Sequence, residues 1–244
     1  RCYLNVVMFW PEDLDIVKGS PSARRRFIDS CVSQIYPSYL SSLMDYNKTL
    51  AQKNSLLKLM RSKSKRTDPT LSVWNGQLAE EGSRIMRFRA DFIELINATA
   101  AAIQSEISGE TLALRYMPSI KTESMTAEEI FEYLSEREGR EADMGSSMYG
   151  VQRDDIEIFV NGREAKLFGS QGQQRTAALS MKIAQSEYIK NIKGEYPVLL
   201  LDDIMSELDI HRRMYLSERI RDKQVLITST DTDLIDKNTD TRLF

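Results

Sequence analysis

The chain has 244 residues, 41% of them apolar, enough to bury a core in one large domain or two smaller ones. Its 33 basic and 36 acidic residues leave a net charge of -3, which excludes a wholesale polycation and confines any nucleic-acid contact to a local patch. Only Cys2 and Cys31 occur, too few for a disulfide scaffold, and no apolar run reaches the roughly 18 residues a membrane span needs. A cytoplasmic protein without membrane association is therefore expected.

The opening 3-YLNVVMF-9 is apolar and rich in β-branched and aromatic residues, which predicts a buried strand ended by Pro11. Because no initiator Met stands before Arg1, and this strand follows so closely, the chain reads as a piece of a longer protein. In 19-GSPSARRRFIDSCV-32, Ser20 or Ser22 can cap a helix whose first turn suits Pro21, and Phe27, Cys31 and Ile35 recur at helical spacing. Pro37 kinks or ends that helix, and Leu40, Leu43, Asn47 and Leu50 continue on one expected face, so most of 22–60 reads as helical.

A second long helix is predicted over 71–107, where Trp74, Leu78, Ile85, Phe88, Phe92, Leu95, Thr99 and Ile103 form a heptad-like stripe. Two such helices with a short polar connection make an antiparallel arm; an ordinary helical bundle would need the same apolar seam. Between them, 48-KTLAQKNSLLKLMRSKSKR-66 carries seven Lys or Arg and no acid. Such a run is more often a solvated face, but basic clusters at exposed tips also grip phosphate backbones. On charge alone, Lys53, Lys58, Arg61, Lys63, Lys65 and Arg66 are candidates for DNA backbone contact, without base specificity.

Further on, 111-TLALRYM-117 alternates like a strand, and 126-TAEEIFEYLSERE-138 opens with a capping box of Thr126 and Glu129. A polar connector over 139–150 follows, and then 156-IEIFV-160 and 163-REAKLF-168 flank Asn161-Gly162, which predicts a hairpin on a type I′ turn. The remainder reads as a helix after Ser170, a strand at 198–201, a helix around 211–220 and a strand at 224–228. That is the βαβ pattern of a parallel sheet.

Two stretches could carry chemistry. Asp202 and Asp203 follow the apolar 198-VLLL-201, at the carboxyl end of a parallel strand, where open α/β sheets bind ligands. Carboxylates there need a compensating partner, and magnesium with nucleotide phosphates is a natural one; alternatively one Asp caps the next segment and the other is solvated. The turn 169-GSQGQQR-175 pairs glycines that let a backbone approach a ligand with a helix N-terminus that attracts anions. A plain capping box of Ser170 and Gln173 would explain the serine but neither the second glycine nor Arg175.

Taken together, 169-GSQGQQRTAALSMKIA-184 resembles the signature motif of ABC-type ATPases of the SMC-like class, and 198-VLLLDDIMSELD-209 resembles a Walker B strand with its D-loop. Adding 8-MFWPEDLDIVKGSPSARRRFIDS-30 and 150-GVQRDDIEIFVNG-162, the chain from Val6 to about Asp231 resembles the RecF family of bacterial recombination-mediator ATPases. The resemblance implies an α/β fold, an ABC/SMC-like ATPase lobe with an inserted helical arm. The expected divisions are 1–21 as the end of an N-terminal lobe, 22–139 as the arm and 140–244 as the C-terminal lobe.

It further implies ATP and Mg2+ as cofactors, with Asp202 holding the metal and Asp203 standing where many relatives place a catalytic Glu. Ser170, Gln171, Gly172, Gln173 and Arg175 would approach a nucleotide held by the opposite subunit, and Asp209 would close the D-loop across an ATP-dependent homodimer. Thr228 and Thr230 occupy the place of the transporter switch His, while His211 reads as an exposed helix residue. The implied partners are gapped or junction DNA and the mediator proteins RecR and RecO. The implied role is repair and replication restart at single-strand gaps; a non-hydrolysing binding module and a structural SMC-type arm are the other readings. Two departures stand out: Trp10 replaces a small residue, and 149-YGVQRDD-155 replaces a Gly-Pro-His-Arg-Asp form. No GxxxxGK[ST] occurs, so the phosphate-binding loop is expected upstream of Tyr3.

Overall fold

A computed structural model describes residues 4–229, the side chain of Glu207 excepted. In chain order these form β1 (Val6–Phe9), a 3-10 turn (Pro11–Leu14), α1 (Asp15–Lys18), α2 (Pro21–Ile35), α3 (Pro37–Ser62) and α4 (Pro69–Ser108). There follow β2 (Leu112–Met117), α5 (Ala127–Ser135), α6 (Glu138–Met144), β3 (Asp155–Val160), β4 (Arg163–Glu164) and α7 (Ala165–Phe168). The last elements are α8 (Gln171–Lys193), β5 (Val198–Asp202), α9 (Ile204–Glu207), α10 (Ile210–Ile220) and β6 (Val225–Thr228).

The described residues divide into two compact units, one of 4–24, 94–114 and 158–229, the other of Arg25–Ile93 and Arg115–Glu157. The arm expected over 22–139 is therefore divided differently. The C-terminal part of α4 belongs to the first unit, where Ser180 Oγ donates to Gln104 Oε1 at 3.1 Å and both Tyr215 and Arg219 bond Glu106.

In the first unit β1, β5 and β6 form a parallel sheet in the order β1-β5-β6, with Val6 opposite Val198 and Asp202 opposite Thr228. Continuous apolar strands such as 198-VLLL-201 suit a sheet covered on its faces. The cover includes α8, buried on nearly every side between Thr176 and Ile189. Small residues there, Ala177, Ala178, Ser180, Ala184 and Ser186, permit that close packing. The buried Lys182 is compensated by Asp13, whose Oδ1 lies 3.3 Å from its ammonium.

In the second unit α3 and the N-terminal part of α4 run antiparallel. Tyr46 lies against Gly82, Thr49 Oγ1 bonds Gln77, and Leu57 and Met60 pack with Leu71. At the other end Phe88 packs against Tyr36 in a tilted contact and against Tyr39 edge to face, at centroid distances of 5.0 and 5.5 Å.

The stripe expected on α3 is rotated by about one residue: the buried positions are Tyr39, Ser42, Tyr46, Thr49, Lys53, Leu57 and Met60, while Leu40 and Asn47 are exposed. Phenols and hydroxyls bury there because their polar atoms are bonded; Tyr46 Oη donates to Gln152 Oε1 at 2.5 Å and accepts from the Val151 N–H at 3.2 Å. On α4 the same correction applies to Leu95, which is exposed, whereas Ile96 is buried. The 139–150 connector contains α6, ended by Gly145 at φ 69. The hairpin turn is as expected, with positive φ at both Asn161 and Gly162, but β4 is only two residues long before α7 begins.

A buried arginine organises this second unit. Arg89, 2% exposed, bonds Asp29, Asp154, Tyr39 Oη and the Val151 carbonyl. Asp154 in turn accepts from Tyr116 Oη at 2.5 Å and from the Ser119 N–H at 2.9 Å. Burial opposes the Arg89 charge, yet Tyr39, Asp29, Tyr116 and Asp154 together hold its pKa above the usual arginine value. The second aspartate-bearing motif of the sequence, 153-RDD-155, thus has a structural use in this unit.

Candidate functional site

The carboxyl end of β5 brings together Asp202, Asp203 and Thr228. Thr228 Oγ1 donates to Asp202 Oδ1 at 2.5 Å and accepts from the Asp203 N–H at 3.2 Å, while the Thr228 carbonyl accepts from that N–H at 3.1 Å. These bonds hold Asp203 at φ 49, a left-handed conformation that Asp tolerates better than most side chains. Asp203 occupies the N-cap position of α9, but its side chain makes no capping bond. Its Oδ1 is buried and, among the described residues, has no hydrogen-bond partner. A buried, unbonded carboxylate oxygen beside an exposed carboxylate is a donor set that fits a hydrated magnesium ion, with Asp202 as the residue that would hold it. Thr230 lies outside the described residues. The described residues contain no cluster of three or more His, Cys, Asp or Glu side chains suited to a metal.

The turn at 169–175 is built by capping. Ser170 Oγ accepts from the Gln173 N–H at 3.2 Å, and Gln173 Oε1 accepts from the Ser170 N–H at 2.9 Å. The serine hydroxyl keeps its own proton for donation, and the first N–H groups of α8 remain at the positive end of the helix dipole. Gly169 has no room for a side chain, and Gly172 has little. A Cβ on Gly169 would stand 2.5 Å from the Ala165 carbonyl oxygen, and one on Gly172 would stand 3.3 Å from Arg212 Nη2.

The segment ending at Asp209, expected to be a D-loop, joins this turn through Arg212. Asp209 caps α10, accepting from the Arg212 N–H at 3.0 Å, and its other oxygen pairs with the Arg212 guanidinium. That guanidinium donates to the Gly172 carbonyl at 3.0 Å and to Thr176 Oγ1 at 2.7 Å. Gln173 Nε2 also donates to Glu110 Oε1 at 2.6 Å. Burial and the nearby Arg175 push the Arg212 pKa down, and Glu110 opposes them. Arg175 is exposed and, with Trp10, Asp13 and Lys182, lines a small cavity of about 50 Å³. The Asp13 carboxyl there is raised by burial against the lowering effect of Lys182, and it accepts from the Trp10 indole N–H at 2.9 Å. His211 is exposed on α10.

Arg212 and Glu110 are absent from the sequence expectations. The only cue to Arg212 is its place three residues after Asp209, which predicts a pair with that aspartate but not a bond to a turn 40 residues away.

The six candidate DNA contacts separate on burial. Lys53 is corrected: it is fully buried, its ammonium 2.6 Å from Glu141 Oε2, and Glu141 also accepts from Ser147 Oγ and the Met148 N–H. A lysine neutralised inside a helix pair cannot meet a phosphate. Lys58, Arg61, Lys63, Lys65 and Arg66 are exposed at the end of α3 and in the connection to α4. Of these, Arg61 donates to the Met144 carbonyl, Arg66 pairs with Asp143, and Lys65 lies 3.4 Å from Asp68.

The parallel sheet with aspartates at its carboxyl edge, the capped turn opening α8 and the helical arm define an ABC-type ATPase lobe of the SMC-like class with an inserted arm. No family model matches the chain. It is 45% identical to the DNA replication and repair protein RecF of Bacillus cereus (strain AH820), across 97% of this chain and 65% of that protein. With the RecF protein of Staphylococcus aureus (strain JH9) it shares 46% identity across 96% and 65%. A solved structure described as the recombination mediator protein RecF-ATPrS in the RecFOR pathway superposes with a TM-score of 0.86 at 35% identity, covering 95% of this chain and 64% of that one. A RecF-ATP structure gives 0.86 at 34% identity, covering 95% and 63%. Over this span the chain belongs to the RecF family. It spans just under two thirds of the length of the curated relatives it matches.

Proposed function

We propose that the chain is the arm and C-terminal ATPase lobe of an ATP-dependent DNA-binding protein of recombinational repair and replication restart. It acts in the cytoplasm at single-strand gaps, dimerises around ATP and works with RecR and RecO. The observation that carries the reading is the pairing of a capped signature turn with a D-loop through Arg212, beside a strand end bearing Asp202, Asp203 and Thr228. The names of the relatives and the nucleotide-bound RecF structures support the repair role and ATP binding.

In this reading Asp202 holds Mg2+, which, when bound, neutralises charge on the nucleotide phosphates. The Ser170 hydroxyl and the free N–H groups at the start of α8 bind the γ-phosphate of a nucleotide held by the opposite subunit. Asp203 Oδ1 is the acceptor that orients the attacking water and takes its proton; an Asp is one methylene shorter than a Glu, which fits slow hydrolysis. Asp209 and the turn it carries close over the partner. The exposed Lys58, Arg61, Lys63, Lys65 and Arg66 contact the DNA backbone.

The sequence contains no Gly-Lys pair, so this chain alone is a non-hydrolysing module. An ATPase assay checks this: negligible turnover is expected for the chain alone and measurable turnover once a lobe bearing a phosphate-binding loop is supplied. Robust turnover by the chain alone would contradict it.

A further inference from the structure

The capping box of Ser170 and Gln173 already satisfies the start of α8, yet two more side chains are tied to the same turn. Arg212, from the first turn of α10, bonds the Gly172 carbonyl, Thr176 Oγ1 and Asp209. Glu110, just after α4, receives the Gln173 side-chain amide on Oε1 and is itself held by Asn161 Nδ2 at 3.3 Å and Ser108 Oγ at 3.1 Å. The adjacent Arg213 donates to the carbonyls of Met205 and Leu208, at 3.1 and 3.0 Å, and so fixes the D-loop itself. Consecutive arginines of one helix therefore grip the D-loop on one side and the signature turn on the other.

We propose that Arg212 and Glu110 are positioning residues of the signature turn: they fix the Gly172 carbonyl and the Gln173 amide so that Ser170 and the α8 N–H groups stand ready for a partner's nucleotide. The proposal rests on the reading that this turn meets a nucleotide held by a second subunit. Its physical basis is preorganisation. A donor array held before binding has less conformational freedom to lose on closure, and charge-assisted bonds to a carbonyl and an amide hold better than neutral ones. Gly172 has a matching reason to lack a side chain, since a Cβ there would press on the Arg212 guanidinium.

The test uses the protein at the full length of its relatives. ATP-dependent dimerisation is followed by sedimentation velocity, ATP affinity of the monomer by a fluorescent nucleotide and folding by thermal melting. Arg212→Ala and Glu110→Ala are each expected to weaken ATP-dependent dimerisation on the order of tenfold, with monomer ATP affinity unchanged. Glu110→Gln, which keeps an acceptor oxygen, restores most of the loss. If Arg212→Ala lowers the melting temperature too far to measure, Arg212→Lys keeps a charge beside Asp209 without the planar fork whose separate nitrogens reach Thr176 and Gly172, and is expected to show the same selective loss. Wild-type dimerisation by the Arg212 variants overturns the proposal, as does an equal loss of monomer ATP affinity. Ser170→Arg separates the two levels. If it abolishes dimerisation while the Arg212 variants do not, the trans reading stands and the positioning role falls; if it leaves dimerisation intact, both fall.

Discussion

Single residues in this chain are explained by what they touch. Gly169 has an ordinary φ of -74, so its requirement is steric: Gly169→Ala would drive a Cβ into the Ala165 carbonyl and shift the start of α8. Arg89 is the most demanding residue of the second unit, because removing it leaves Asp154 buried without its cation. Arg89→Ala is expected to destabilise by about 3–5 kcal/mol in urea unfolding, and a loss below about 1 kcal/mol would contradict the network. Lys53→Ala breaks a pair in which neither side chain is exposed and should cost about as much, while leaving the salt dependence of DNA binding unchanged. A sequence presents Lys53 as one more charge in a basic run. Only its position on the inner face of α3, one residue away from the apolar count, shows that it is structural.

At the scale of elements, the sequence was most legible where local chemistry alone decides the outcome. The capping box at Thr126, the helix break at Pro37 and the Asn161-Gly162 turn are local signals that form as expected, and the capping box of Ser170 and Gln173, weighed as the plainer reading of its turn, forms as well. Helix faces were less legible. The buried side of α3 is made of Tyr39, Ser42, Tyr46 and Thr49, whose polar atoms find partners far along the chain, so counting apolar residues selects the wrong stripe. The same limit hid Arg212 and Glu110, since both act on a turn brought near by the fold. For α8 itself, Ser170→Ala removes the cap and is expected to lower stability by about 1 kcal/mol in chemical denaturation, with the Gln173 N–H left to water. No loss at all would mean that Arg212 and Glu110, rather than the cap, hold the turn.

For the whole molecule, the proposed function has the exposed cations of the arm touching phosphates without reading bases. Replacing Lys58, Lys63 and Lys65 by Gln should weaken binding to duplex and gapped DNA alike. It should also reduce the slope of log affinity against log salt by roughly 0.9 for each phosphate that is no longer neutralised. An unchanged slope would remove these residues from the interface.

At the same scale, the proposed function assigns the turn at 169–175 and the aspartates of one chain to two different nucleotides. Mixing two inactive full-length variants, Ser170→Ala and Asp203→Asn, tests this directly, because a mixed dimer would hold one site with both an intact turn and an intact aspartate. Random pairing of equal amounts makes half the dimers mixed, so recovery of about a quarter of the wild-type ATPase rate is expected. A mixture no more active than its separate components would show that the turn and the aspartates act within one chain, and would contradict the shared-site reading.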